Sequence, residues 1–122
     1  MAGFTIAECQ AILDARFPTS GGGDYVAYSE NGTSESSNLA RTPVGATGWA
    51  AATNADPSVK ANGSVLTSAA ASGAATISHF AIYSASSGGT QRSDWTALSA
   101  SKTLAVGDKV EWAVGQLALT LT

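Results

Sequence analysis

The sequence predicts a mainly β protein, an antiparallel β-sandwich or barrel-like domain preceded by one short N-terminal α-helix. Helix signals are confined to the residues before Pro18. From Asp24 onward, short runs rich in Val, Ile, Thr, Tyr and Trp alternate with Gly, Pro, Asn and Asp, which is typical of antiparallel sandwiches. A length of 122 residues with 44% apolar side chains is enough to bury one core.

The helix is predicted to begin at Ile6. Thr5 and Glu8 have the spacing of a capping box, in which the threonine hydroxyl accepts a hydrogen bond from a backbone N–H of the first turn. Pro18 disfavours helical geometry at the residue before it and ends the element. Apolar residues recur at intervals of three and four and form one stripe: Ile6, Cys9, Ile12, Leu13 and Phe17.

A glycine-rich joint follows the helix, with the sequence Thr-Ser-Gly-Gly-Gly at 19–23. Such a segment is flexible and fixes no docking angle for the helix. The predicted domains are therefore 1–23, the helix with its joint, and 24–122, the β-sandwich. Because the apolar stripe has to be buried somewhere, its five residues are the predicted assembly interface with other proteins.

The strands are predicted from short apolar runs between turn signals. The clearest is Thr76–Tyr83, whose residues alternate with bulk on both faces, as in a central strand. Gly88 and Gly89 then predict a hairpin turn, and Glu30–Asn38 predicts an exposed loop. Strands are expected near 24–29, 39–44, 49–53, 64–68, 75–84, 93–98, 102–105, 109–112 and 117–122.

Charge and hydropathy exclude several classes of partner. Charged residues make up 12% of the chain, and six Lys and Arg against nine Asp and Glu give a net charge of −3. No basic cluster could neutralise a run of phosphates, so we expect no nucleic-acid partner. The chain also lacks a long apolar span and a signal-peptide pattern, so we expect no membrane partner and synthesis in the cytoplasm.

Residues for catalysis are scarce. Cys9 is the single cysteine, which excludes an intrachain disulfide, a CxxC pair and a multi-thiolate zinc site. His79 is the single histidine, and its position inside a strand favours a packed imidazole. No nucleophile-elbow or phosphate-loop pattern occurs. The sequence therefore predicts no catalytic residue, no metal and no cofactor, and a protein that is not an enzyme.

The aromatic residues allow two interpretations. Large aromatics at strand positions ordinarily fill a sandwich core or an interface. The alternative is an aromatic platform for stacking sugars, which would make the chain a carbohydrate-binding module. The residues concerned are Tyr25, Tyr28, Trp49, Tyr83, Trp95 and Trp112.

An ordered series of strand and turn segments carries a resemblance to a known family. The segments are TGWAAA at 47–52, HFAIY at 79–83, GGT at 88–90, WTAL at 95–98, KTLAVGD at 102–108 and LALTL at 117–121. In order and spacing they resemble small virion proteins of tailed bacteriophages, often labelled tail-fibre or decoration proteins. The chain departs from that family in the 30–38 loop, where a His and an Asp-Pro are common but absent here.

The resemblance implies a non-enzymatic structural protein of the virion, assembled in the host cytoplasm. Capsid decoration is the first interpretation, because a small neutral domain with a detachable helix suits many weak contacts added over a shell. A tail-associated or tail-fibre subunit is the alternative. The implied partners are the major capsid protein or tail proteins, together with further copies of the chain in a homo-oligomer.

Overall fold

The computed structural model describes residues 4–19, 23–45 and 48–121. The elements are α1 (Ile6–Arg16), β1 (Tyr25–Ser29), β2 (Thr42–Pro43), β3 (Ser58–Ala61), β4 (Leu66–Thr67), β5 (Ala75–Tyr83), β6 (Thr96–Leu104), β7 (Glu111–Trp112) and β8 (Ala118–Leu121). The strands pair antiparallel in β1·β2, β1·β5, β3·β8 and β5·β6, so the predicted mainly β class with one N-terminal helix is confirmed. Strands β4 and β7 form a further short pair.

Helix α1 has the predicted limits. The Oγ1 of Thr5 accepts a hydrogen bond from the Glu8 N–H at 3.2 Å, which caps the first turn. At the other end, the Phe17 N–H donates to the Leu13 carbonyl, and the helix stops before Pro18. The predicted glycine joint, 19–23, lies largely outside the described residues.

The chain divides into two compact units. The helix unit comprises the described parts of Met1–Gly22, Val44–Leu66 and Trp112–Thr122, and the sheet unit comprises Gly23–Pro43 and Thr67–Glu111. This grouping places residues 44–66 and 112–122 with the helix, whereas the sequence divides the chain at 23. That residues 24–122 fold without the helix stays a prediction.

The sheet unit contains a four-stranded sheet in the order β2-β1-β5-β6. Strand β5 is one of its two central strands, as predicted from its alternating pattern. Side chains of β1 and β5 form most of the core, with Val26, Tyr28, Ile77 and Ile82 fully buried. The 84–89 turn leads out of β5 with Gly88 and Gly89 at positive φ, a conformation that favours glycine.

Strand β6 joins two strands that the sequence predicts separately, at 93–98 and 102–105. Lys102 pairs with Ile77 and Ala97 pairs with His79, so residues 98–101 stand opposite the single residue Ser78. This irregularity interrupts the ladder in the middle of β6. The two predicted strands are therefore the two paired ends of one element.

The helix unit contains the pair β3·β8. Strand β8 lies within the strand predicted at 117–122, whereas two other parts of the prediction were wrong here. The 49–53 segment, predicted as a strand, makes only an isolated bridge at Trp49 and two backbone bonds to β3. Strand β3 itself was not predicted, because its inward residues Ser58 and Lys60 are polar while Val59 is only half-buried. Its burial pattern is the reverse of its hydropathy pattern.

Candidate functional site

The apolar stripe of α1 is the first candidate, and the structure divides it. Cys9, Leu13 and Phe17 are buried at 2%, 5% and 8% exposure, and Phe17 meets Trp49 edge-on with ring centroids 5.5 Å apart. Ile12 is half-buried, whereas Ile6 is 41% exposed. Three of the five predicted interface residues thus pack inside the helix unit. The assembly role of the stripe stays a prediction.

A polar contact fixes α1 to the rest of its unit. Lys60 of β3, whose side chain is fully buried, donates from Nζ to Asp14 Oδ1 at 2.7 Å. The same oxygen accepts from the Ala52 N–H at 2.9 Å, and Gln10 Nε2 donates to the Ala52 carbonyl. These bonds define a docking angle for α1 that the glycine joint does not specify.

The environment of Asp14 sets its ionisation. Desolvation by burial would raise the pKa of the Asp14 carboxyl. The hydrogen bonds from Lys60 and Ala52, with the positive charge of Lys60, outweigh that effect, so the pKa lies below its usual value. This pair was not predicted from the sequence. Its only sequence signal is that Gln10 and Asp14 share one side of the helix at a spacing of four.

Asn62 is a second polar group buried in the helix unit, at 1% exposure. Its Nδ2 donates to the carbonyls of Ser64 and Ala113 at 2.9 and 3.0 Å, and its Oδ1 accepts from the Leu117 N–H at 3.0 Å. One amide side chain therefore satisfies backbone groups of two separate segments. This is a structural role, since its hydrogen-bonding groups are used within the unit.

His79 has the packed setting predicted for it. Its Nδ1 lies 2.7 Å from Ser78 Oγ. Its ring packs closely against Gly32: a Cβ atom added to that glycine would lie only 2.9 Å from the ring Nε2.

Among the described residues, no group of three or more His, Cys, Asp or Glu is placed to hold a metal ion. In the same ranges, no helix has the length and hydropathy needed to cross a bilayer.

Arg41 lines a cleft of about 480 Å³ in the sheet unit. Its guanidinium makes two bonds of 2.9 Å to Glu35, donates to the carbonyls of Ala85 and Gly88, and lies 3.9 Å from the ring centre of Tyr83. The hydrogen bond to Glu35 raises the pKa of Arg41, which keeps the cation charged. Its side chain is only 6% exposed, so this arginine ties a loop and a turn together.

The six tyrosines and tryptophans separate into two groups. Tyr28, Trp49 and Trp112 are buried, which confirms core packing for these three. The other three, Tyr25, Tyr83 and Trp95, are half-buried and belong to the sheet unit. Tyr25 is the cross-strand partner of Tyr83, and the rings of Tyr83 and Trp95 lie 6.1 Å apart.

Comparison with known protein families gives a match over most of the chain. The profile of the family described as podophage GP4 fiber I protein gp80 matches residues 16–120, which is most of the chain. The match begins at Arg16, the last residue of α1. No curated protein sequence matches the chain.

Proposed function

The chain belongs to the podophage GP4 fiber I protein gp80 family and is a structural protein of a tailed-phage virion, and we propose that it is a subunit of a tail fibre. The description of the family, which names a fiber protein, carries this proposal. Capsid decoration, the first interpretation from sequence, receives no support from the match. The tail-fibre alternative is therefore preferred here.

The proposal includes a role without catalysis. A fiber family suggests a structural part, and the geometry around His79 supports the same view. Its Nδ1 contacts the adjacent Ser78 and its ring packs under Gly32, an arrangement that fills space in the sheet unit. We expect the substitution His79→Gln to lower the stability of the fold. Particle function should fall only in proportion to that loss of stability.

Attachment to neighbouring virion proteins is proposed to use the N-terminal end of α1. Phe4 and Ile6 are 59% and 41% exposed there, ahead of the part of the chain that the family profile matches. Burying such side chains against a partner contributes roughly 1.5–3 kcal/mol each before ordering costs. Of the five predicted interface residues, Ile6 is the most exposed and Ile12 is half-buried, whereas the other three are buried.

Labelling intact particles tests the position. Antibody fragments raised against the purified chain and coupled to gold should mark the tail region in electron micrographs and leave the head surface bare. Particles lacking the gene for the chain are the control for background labelling. Gold distributed evenly over the head would support decoration and contradict the tail-fibre assignment.

A further inference from the structure

Four residues form a row across one face of the sheet unit. Tyr25 is paired with Pro43 on one side and with Tyr83 on the other, and Tyr83 forms a bridge with Gln91. Directly opposed residues of antiparallel strands point to the same face, so these side chains lie side by side. Three interstrand spacings make the row about 14 Å long. Trp95 extends it through its contact with Tyr83.

The row is open to solvent at several points. Pro43 and Gln91 are exposed, and Tyr25, Tyr83 and Trp95 are half-buried. The Arg41 guanidinium lies over the Tyr83 ring, so one face of that ring is already covered. Strand pairing holds Tyr25 and Tyr83 in place, and Trp95 is held by its contact with Tyr83. Little conformational entropy is therefore left to lose when a ligand binds.

A polar cleft of about 370 Å³ adjoins the row and is lined by residues 91–94. Gln91 belongs to both features: its Oε1 accepts from the Tyr83 hydroxyl at 3.2 Å, and its Nε2 donates to the Ser93 carbonyl. Arg92 is oriented by an ion pair with the buried Asp24. The exposed Asp94 carboxylate completes the lining.

We propose that this surface, the aromatic row of Pro43, Tyr25, Tyr83, Gln91 and Trp95 with the adjoining cleft, binds a neutral oligosaccharide. Aromatic faces carry negative charge density and attract the polarised C–H groups on the apolar face of a pyranose ring. Amide and carboxylate groups at the edge of such rings can pair with neighbouring hydroxyls of the same sugar. Gln91 and Asp94 supply those groups beside Trp95.

A saccharide fits this surface better than a protein partner does. A standard protein interface covers about 800 Å² on each side and has a fully buried apolar centre. The large apolar residues with high exposure in the described chain are Phe4, Ile6, Val65, Val106 and Val114, and none belongs to the row. The row is narrow, carries no exposed aliphatic side chain larger than proline, and ends in a polar cleft.

The test uses the full chain and an array of neutral oligosaccharides that includes maltotetraose, chitotetraose and repeat units of bacterial O-antigens. The best-bound member is then titrated while tryptophan emission is followed. Trp49 and Trp112 are buried, so Trp95 is the tryptophan expected to respond. The substitutions Trp95→Leu and Tyr25→Leu should each raise the Kd by about tenfold, which corresponds to the loss of one stacked ring.

Two further variants keep the test decisive. Gln91→Ala removes an exposed polar side chain with its two exposed hydrogen bonds, and should weaken binding several-fold with only a small change in melting temperature. Val106→Ala truncates a side chain that is 70% exposed and lies outside the row in the same unit, and should leave the Kd unchanged.

Three outcomes would overturn the proposal. One is that no sugar on the array binds at millimolar concentration. Another is that binding survives both ring substitutions. The third is that Trp95→Leu blocks incorporation into particles while the chain binds no sugar, which would make the row a protein interface. Oligosaccharide binding is measured on the isolated chain, so it holds or fails independently of the tail-fibre position.

Discussion

Two buried polar residues of the helix unit and the accessible aromatic row of the sheet unit have opposite environments. In the helix unit, Lys60 and Asn62 are almost completely buried and bond to groups of the same unit. In the sheet unit, Tyr25, Trp95 and Gln91 remain accessible along one row. Buried, satisfied polar groups specify a unique packing, whereas accessible aromatic groups are available to a ligand. We therefore expect substitutions in the first set to change stability and those in the second to change binding.

The largest effect should come from Asp14→Asn. This change removes the carboxylate from a fully buried lysine and leaves the Lys60 charge uncompensated, at a cost of about 3 kcal/mol in unfolding free energy. Urea denaturation at neutral pH measures it. The matched control is Glu35→Gln. Arg41 keeps its bonds to two carbonyls in this variant, so its unfolding free energy should fall by about 1 kcal/mol or less.

A double variant sharpens this prediction. Replacing Lys60 by Met in the Asp14→Asn background removes the buried charge itself and should restore much of the lost stability. Equal losses of unfolding free energy for Asp14→Asn and Glu35→Gln would contradict a special role of the Lys60–Asp14 pair in the helix unit.

Asn62→Ala should rank next, with a loss of about 2 kcal/mol. The substitution leaves the Leu117 N–H and two carbonyls without their amide partner in a buried site. Asn31→Ala is a suitable control, since Asn31 also accepts several local hydrogen bonds but lies in an exposed loop. Thermal melting of the two variants compares them, and a similar shift for both would contradict the assigned role of Asn62.

The pH dependence of stability should be smaller and confined to acid. The folded-state pKa of Asp14 is depressed, so its contribution is present above the unfolded pKa near 3.8 and is lost as the pH falls through the lower folded value. Its side chain is 39% exposed, which weakens the effect through solvent screening. Melting temperatures of wild type and Asp14→Asn should converge as the pH falls below about 4, whereas a constant difference would contradict this linkage.

The smallest effect on stability is expected from Ile6→Ser. Because Ile6 is 41% exposed, the unfolding free energy should change by about 0.5 kcal/mol or less. Incorporation into particles should nevertheless fall if the exposed end of α1 is the attachment site. Val114→Ser, at another exposed apolar position of the helix unit, is the control that should incorporate normally. Normal incorporation of Ile6→Ser would show that the attachment site does not depend on this exposed residue of α1, and would contradict the proposal.

Local chemistry made part of the fold predictable from sequence. The limits of α1 follow from Thr5 and Pro18, and β5 follows from an alternation that needs no partner to be recognised. Strand β3 could not be found this way, since a buried lysine looks like a surface residue until its carboxylate partner is known. The helix stripe showed which face is buried but carried no information about what buries it.

Like strand β3, the candidate binding surface can be recognised only once the tertiary pairing is known. Tyr25, Tyr83 and Trp95 were identified as aromatics in strands, together with three others that turned out to be core residues. What separates the groups is register: Tyr25 and Tyr83 are far apart in the chain, and only the pairing of β1 with β5 places them side by side. Sequence periodicity within either strand does not contain that register.

Quantitative mass spectrometry of purified virions tests the tail-fibre assignment most directly. Heads and tails are separated, and the chain is counted relative to the major capsid protein in each fraction. The account predicts that the chain fractionates with tails at a copy number far below that of the capsid protein. A copy number comparable to that of the capsid protein, recovered with the heads, would contradict it and restore capsid decoration as the function.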